Sequence, residues 1–239
     1  MDSVAAVVAT TNVQTLDRAV LVVEAVAAAG ACSLAELVRA TGLARPTAYR
    51  LAVACEGHGL LARDDAGRFR LGGRLVGWGA QAAAQSGLVA AARPLLAGLV
   101  AETGESAQLY VREGDRRICV ATHERTSGLR DTVPLGAVMP LTKGSGGKVL
   151  LAWAADRERF DVDASALQEV RAQGFAETAG EREPGVASVS APVRSGDGAV
   201  LAAISVSGPA ERLSPAARRS FRVAVLRAAD ALARGVTSG

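Results

Sequence analysis

Cysteine, histidine, lysine and aromatic residues are all scarce in this sequence of 239 residues. The three cysteines, Cys32, Cys55 and Cys119, are odd in number, widely spaced and form no CxxC pair. That pattern argues against a disulfide framework or a zinc ligand set and points to small apolar thiols in the core. His58 and His123 stand alone, so neither a metal site nor any other cofactor is expected. Aromatics make up 3% of the chain, so its cores must be assembled from Ala, Val and Leu. No apolar run approaches the roughly 20 residues of a membrane span. The short apolar stretch Val4 to Ala9 lacks the basic flank of a secretory signal. A soluble, cytoplasmic protein with no membrane partner is expected. Of 27 basic residues only Lys143 and Lys148 are lysines, a bias attributed to GC-rich coding rather than to a binding strategy.

The length suits two domains. A hydrophobic content of 49% with 21% charged residues excludes disorder and fibrous repeats. The formal net charge of +3 neither demands nor excludes nucleic acid, so the position of the charge matters more than its sum.

Three helical patterns open the chain. Leu16, Ala19, Val20, Val23 and Ala27 mark one face of the first, with Thr15 or Asp17 as cap and Gly30 as stop. Ser33 and Glu36 form a capping box for a short second helix that ends at Gly42. Pro46 lies in the first turn of a third helix, where its missing N–H costs nothing. Ala48, Leu51, Ala52 and Cys55 form the inward face of that helix, while Pro46, Tyr49, Arg50 and Val53 face outward. A hairpin follows, with strands Leu60 to Arg63 and Arg68 to Leu71. A short helix, a Gly-containing turn, a helix with a basic start and a hairpin make a winged helix-turn-helix. Between Arg39 and Arg74 seven arginines face three acids, a local excess of 7 − 3 = 4 positive charges. This is the footprint of a double-stranded DNA reader. Arg45, Thr47 and Tyr49 are placed to reach base edges, and Arg50, Arg68 and Arg70 to reach phosphates. The rival use of such a unit is a protein-contacting sensor or adaptor with solvated arginines.

Residues 73–87 read as a linker helix whose apolar residues, Leu75, Val76 and Trp78, suit a helix-helix dimer contact. From Leu88 onward a helix is followed by strand-like runs at 107–111, 117–121, 129–133, 187–193 and 200–206. Helices are expected at 147–156, 164–174 and 215–233, the last with Phe221, Ala224, Val225, Ala228 and Leu232 buried. The order predicts an α+β sensor domain built on a mostly antiparallel sheet. The domain boundaries are therefore 12–72, 73–87 and 88–236.

One glycine-rich loop, Lys143 to Lys148, precedes an apolar helix. Thr142 and Val149 occupy positions where a P-loop needs Gly and Ser or Thr, which excludes that motif. Ser145 and Lys148 have the S-x-x-K spacing of penicillin-binding enzymes, but the Ser-Asp-Asn and Lys-Thr-Gly partners are missing. A Ser/Lys hydrolase is therefore the minor alternative and a non-enzyme the main reading. A helix N-terminus that receives a small anion such as a carboxylate suits the loop better.

The segments Gly42 to Leu51, Ser145 to Ala152 and Ala203 to Pro209 together resemble the IclR family of bacterial transcription factors, over nearly the whole chain. Tracts 103–110, 128–134 and 180–194 are similar to an actinobacterial subgroup of amino-acid-metabolism regulators that includes NdgR and AreB. The resemblance implies a winged helix-turn-helix, a linker helix and a GAF-like effector-binding domain, assembled as a homodimer or dimer of dimers. It implies a small-molecule effector held by Ser145 and Gly146 of the loop, Ser188 of the returning strand, and Ser205 and Ser207 of the last strand. Leu129 joins this set, and Glu181 or Glu183 is taken as its acidic member, Glu181 first. Ser188 stands where several relatives have cysteine, and Pro46 replaces a usual small hydroxyl residue in the recognition helix.

Overall fold

A computed structural model of the chain describes residues 13–237. Contacts divide it into two compact units, one ending at Gln85 and the other beginning at Ser86.

The first unit contains α1 (Gln14–Ala29), β1 (Ala31–Cys32), α2 (Leu34–Thr41), α3 (Arg45–Gly57), β2 (Leu61–Arg63), β3 (Phe69–Leu71) and α4 (Gly73–Gln85). The capping box of α2 forms as expected: the Glu36 N–H donates to Ser33 Oγ at 3.3 Å, and the Ser33 N–H donates to Glu36 Oε2 at 2.8 Å. Gly42 closes the helix with φ +67°, a conformation that favours glycine. The α3 inward face is Ala48, Ala52 and Cys55, all buried. Ala52 and Cys55 pack with Val22, Ala25, Val26, Cys32, Leu37, Leu61 and Phe69 into one core.

Two expectations for α1 are corrected. Its N-cap is Val13, with no side-chain cap, so neither Thr15 nor Asp17 serves. Its buried residues are Val22, Ala25 and Val26, whereas Leu16 is 56% exposed and Val20 and Ala27 are also exposed. The helix is apolar on several sides, so periodicity alone could not select the core face. The hairpin also gains a strand: β1 pairs antiparallel with β3 through Ala31↔Arg70 and Cys32↔Phe69, giving the sheet order β1-β3-β2. Two residues carry no readable period, and this strand was not anticipated.

The second unit begins with α5 (Gly87–Thr103), β4 (Ser106–Glu113), β5 (Arg116–His123), β6 (Val138–Pro140) and α6 (Ser145–Ala152). It continues with α7 (Ala164–Gln173), β7 (Ala176–Ala179), β8 (Val186–Arg194), β9 (Val200–Pro209) and α8 (Pro215–Thr237). Its six-stranded sheet is antiparallel throughout, in the order β6-β5-β4-β9-β8-β7. Strand alternation sends Val189, Ala191, Ile204 and Val206 to one face, where α5 and α8 pack. Ser188, Ser190, Ser205 and Ser207 point to the other, beneath α6.

The strand expected at 129–133 is not formed. The edge of β5 is taken instead by β6, with Ile118↔Val138, and by the turn that precedes it, where the Gly136 N–H donates to Cys119 O at 2.7 Å. Residues 124–137 are irregular and fixed by side chains. The helix expected at 147–156 runs from Ser145 to Ala152. The short strand β7 was not foreseen. Among the described residues, no single helix is long and apolar enough to cross a membrane.

Candidate functional site

Helix α3 of the first unit presents Arg45, Pro46, Tyr49, Arg50 and Val53 to solvent, because its small residues are turned inward. Thr47 is half-buried, and no ion pair ties down Arg45 or Arg50 among the described residues. In the hairpin the outward arginines differ. Arg70 is exposed, and its guanidinium donates to the neighbouring Leu71 carbonyl at 3.4 Å, with no ion pair among the described residues. Arg68 is held by Asp64: Nε donates to Oδ2 at 2.8 Å, and the Arg68 N–H donates to Oδ1 at 2.8 Å. These bonds, the backbone one first, hold the Asp64 carboxyl below the usual range. Arg63 pairs with Glu56 and lies over the Phe69 ring at 4.2 Å. The hairpin is thereby stiffened while α3 keeps two unpaired cations and a tyrosine on one side.

In the second unit a tight pocket lies where α6 begins. Its lining is Tyr110, Arg117, Asp131, Gly144, Ser145, Gly146, Arg182, Ser188, Ser205 and Ser207. The free space is about 10 Å³, room for roughly one water. Gly144 adopts φ +80° and ψ 161°, a region essentially reserved for glycine, and starts α6 without a side-chain cap. Ser145 Oγ lies 2.7 Å from both Ser188 Oγ and Ser190 Oγ, and Ser190 Oγ donates to Ser205 Oγ at 2.8 Å. Ser207 donates to Gln108 Oε1 at 3.0 Å, and the Ser145 N–H donates to Thr178 Oγ1 at 3.1 Å. A Cβ on Gly146 would lie 3.0 Å from the Tyr110 ring, so glycine permits that close approach.

Three charged residues complete the lining. Arg182 Nη2 donates to both Asp131 oxygens, at 2.6 and 2.5 Å. Arg117 is 2% exposed, and its Nη1 donates to the carbonyls of Pro140 at 3.0 Å and Lys143 at 2.5 Å. Its guanidinium also lies 5.2 Å from the Tyr110 ring. No carboxylate among the described residues pairs with Arg117, and its Nε has no hydrogen-bond partner. Burial pulls this guanidinium below its ordinary range, and Arg182 adds to the effect. Burial likewise pushes the Tyr110 phenol upward.

The structure thus brings together Ser145, Gly146, Ser188, Ser205 and Ser207. It does not bring Leu129 or Glu181 into the lining. The Leu129 side chain is 73% exposed and only its carbonyl is engaged, by Arg212 at 2.6 Å. Glu181 sits outside, where Oε2 accepts from the Gly144 N–H at 3.3 Å and Oε1 from Lys148 Nζ at 2.5 Å. Asp131 takes the acidic place in the lining. Lys148 turns to Glu181, and Ser145 is engaged by two serines, so no Ser145–Lys148 hydrogen bond forms of the kind a Ser/Lys hydrolase needs. Sequence reasoning missed Arg117, Asp131, Arg182, Tyr110 and Ser190. The parity of Ser188 and Ser190 on one strand was the available signal for the last.

A winged helix-turn-helix joined in one chain to a sheet domain with a polar pocket defines the class of ligand-responsive DNA-binding regulators. The comparisons give the family. The IclR helix-turn-helix domain matches residues 15–65, and the bacterial transcriptional regulator IclR C-terminal domain matches 80–162 and 164–234. The chain belongs to the IclR family of transcriptional regulators. It is 32% identical to the HTH-type transcriptional regulator BhcR of Paracoccus denitrificans, over 94% of this chain and 88% of that protein. It is 30% identical to the glycerol operon regulatory protein of Streptomyces griseus, over 95% and 98%. Among solved structures, the IclR transcriptional regulator of Alicyclobacillus acidocaldarius superposes with a TM-score of 0.80 at 23% identity, covering 94% of this chain and 99% of that one.

Proposed function

We propose that this regulator binds an operator through α3 and the hairpin and that a small carboxylate in the serine-lined pocket modulates that binding. The observation that carries the first half is the outward side of α3, where Arg45, Tyr49 and Arg50 stand exposed over a core of small residues. Arg45, Thr47 and Tyr49, with Pro46 setting the first turn, read base edges, a good bidentate contact discriminating by about 1–3 kcal/mol. Arg50 and Arg70 contact phosphates, and Arg68 does so after exchanging Asp64 for a phosphate oxygen.

In this reading residues 12–72 form the reader, 73–87 the linker and 88–236 a GAF-like effector domain, and two or four copies assemble. Helix α4 supports assembly: none of its residues is buried, and Val76 and Trp78 are 75% and 49% exposed. Ligand then biases one arrangement of the linkers, changing operator affinity about 5- to 150-fold for a typical coupling. The pathway proposed is amino-acid metabolism, leucine biosynthesis included, on the similarity of tracts 103–110, 128–134 and 180–194 to the NdgR and AreB subgroup. The protein acts in the cytoplasm and is not an enzyme.

Gel-shift titration against the DNA upstream of its own gene, at several salt concentrations, tests the reading. Specific binding with a steep salt slope is expected, lost in Arg45→Ala and Tyr49→Ala. Unchanged specific binding in both variants would remove α3 as the reader. A thermal-shift screen of amino acids and their keto-acid precursors tests the pocket and the pathway, with the response lost in Ser205→Ala/Ser207→Ala.

A further inference from the structure

The serines of the pocket are satisfied by one another and by Gln108, but Arg117 is not neutralised. Its Nη1 bonds to the carbonyls of Pro140 and Lys143 supply dipoles rather than a counter-charge, and Nη2 meets only Met139 Sδ at 3.8 Å. Buried ions are ordinarily paired, because desolvation of a lone charge is expensive. The surroundings make this cation worse placed. It lies against Gly144 and Gly147, where added Cβ atoms would crowd its guanidinium. This is the positive end of the α6 dipole. Arg182 is a second cation in the same lining, and its Cβ would be 3.7 Å from one on Gly144. The resident anion is Asp131, 6% exposed and committed through both oxygens to Arg182. Glu183 reaches Arg182 at 3.8 Å, but from an exposed position. Two arginines and one aspartate leave the lining with a surplus of one positive charge.

We propose that the pocket takes its ligand by anion exchange: the ligand carboxylate seats between Arg117 and Arg182, and Asp131, the built-in counterion, gives up Arg182. The inference rests on the reading of this pocket as the effector site and adds what selects the effector. Free space for about one water means that a ligand must displace something to enter. Arg182–Asp131 is the pair that can open, since Arg182 lies at the rim with a quarter of its side chain exposed. Asp131 is therefore an internal competitor that sets affinity, and Arg117 is the charge that excludes neutral isosteres of the effector.

The test uses the full-length protein, sodium formate as carboxylate probe and formamide as neutral isostere. Ionic strength is held constant with a bulky sulfonate salt, and the readout is the thermal midpoint, which rises with ligand saturation. Formate should raise the midpoint saturably and formamide should not. Asp131→Asn, which removes the competitor, should lower the half-saturating formate concentration about tenfold or more, as expected when the binding-competent state no longer has to be freed. Arg117→Gln should abolish the response and Arg117→Lys should retain it. An equal response to formamide, an Asp131→Asn half-saturating formate concentration within about twofold of the parent's, or no formate response in either protein overturns the exchange. Effector-dependent operator binding in the Ser205→Ala/Ser207→Ala protein is a separate readout. Formate-blind protein with an intact, serine-dependent operator response would refute the exchange and leave the pocket reading standing.

Discussion

At the scale of single residues, the pocket depends on atoms that are absent as much as on those present. A Cβ on Gly147 would overlap the Leu141 carbonyl and crowd Arg117, and neither a backbone carbonyl nor a buried guanidinium can yield cheaply. Gly147→Ala is expected to cost about 1–3 kcal/mol, the range for overpacking, read as a lower urea midpoint at unchanged slope. Cys119 offers a second check. It is fully buried and its thiol is pushed up to about 12, mainly by burial. The thiolate is the reactive form, so native protein at pH 8 should resist alkylation at Cys119 by iodoacetamide and become labelled there only on denaturation. The five residues Ser145, Gly146, Ser188, Ser205 and Ser207 were named because the resemblance to the IclR family carries over residue by residue onto contiguous segments of this chain. Arg117, Asp131 and Arg182 were not, because they come from β5, an irregular segment and a turn. No local pattern distinguishes them from the many solvated arginines and acids of this chain.

At the scale of elements, what is local proved readable. The α2 capping box followed from Ser33 and Glu36 standing three apart, and Ser33→Ala should lower stability by about 0.5–2 kcal/mol in urea titrations. The two faces of α3 followed from placing its small residues on one side. Where two arrangements compete, the local signal fails. The apolar content of α1 admits more than one stripe, and packing against α2 and α3 selected Val22, Ala25 and Val26. The tract 129–133 has the composition of a strand, but β6 and the turn before it take the edge of β5. Its residues instead anchor Asp131 to Arg182 and Arg130 to Glu124. A strand needs a partner, and partners are a property of topology.

At the scale of the whole molecule, α1 and α4 leave apolar side chains in solvent, among them Leu16, Val20, Val76 and Trp78. If these are covered by a second copy, Val76→Asp with Trp78→Ser should shift the mass measured by light scattering toward the monomer and weaken operator binding. A parent protein that is already monomeric at micromolar concentration would count against assembly. Acid stability follows from several surface carboxylates, some of them half-buried. Glu36, Asp64, Asp156, Asp163 and Asp197 are all held below their ordinary range, chiefly by hydrogen bonds from Ser33, Arg68, Arg112, Ser165 and Ser195 respectively. A lowered folded-state value adds stability that is fully present above the unfolded value and is lost as pH falls through the folded one. Thermal midpoints should therefore be flat near neutrality and decline below about pH 4, modestly per group because each lies at the surface where solvent screens it.

The scarcity of cysteine, histidine and aromatic residues argued from the outset against disulfides and metal ligands and for cores of Ala, Val and Leu. Sequence alone also determined the winged helix-turn-helix and the location of the positive excess, because helix caps and turn glycines act over a few residues, while the pocket serines were named through the resemblance to the IclR family. Tertiary structure decided which face of α1 is core, which strand completes the sheet edge, and that one buried arginine would share a pocket with an arginine–aspartate pair. Those outcomes depend on which distant segments meet, and a buried charge becomes unpaired only once its neighbours are in place.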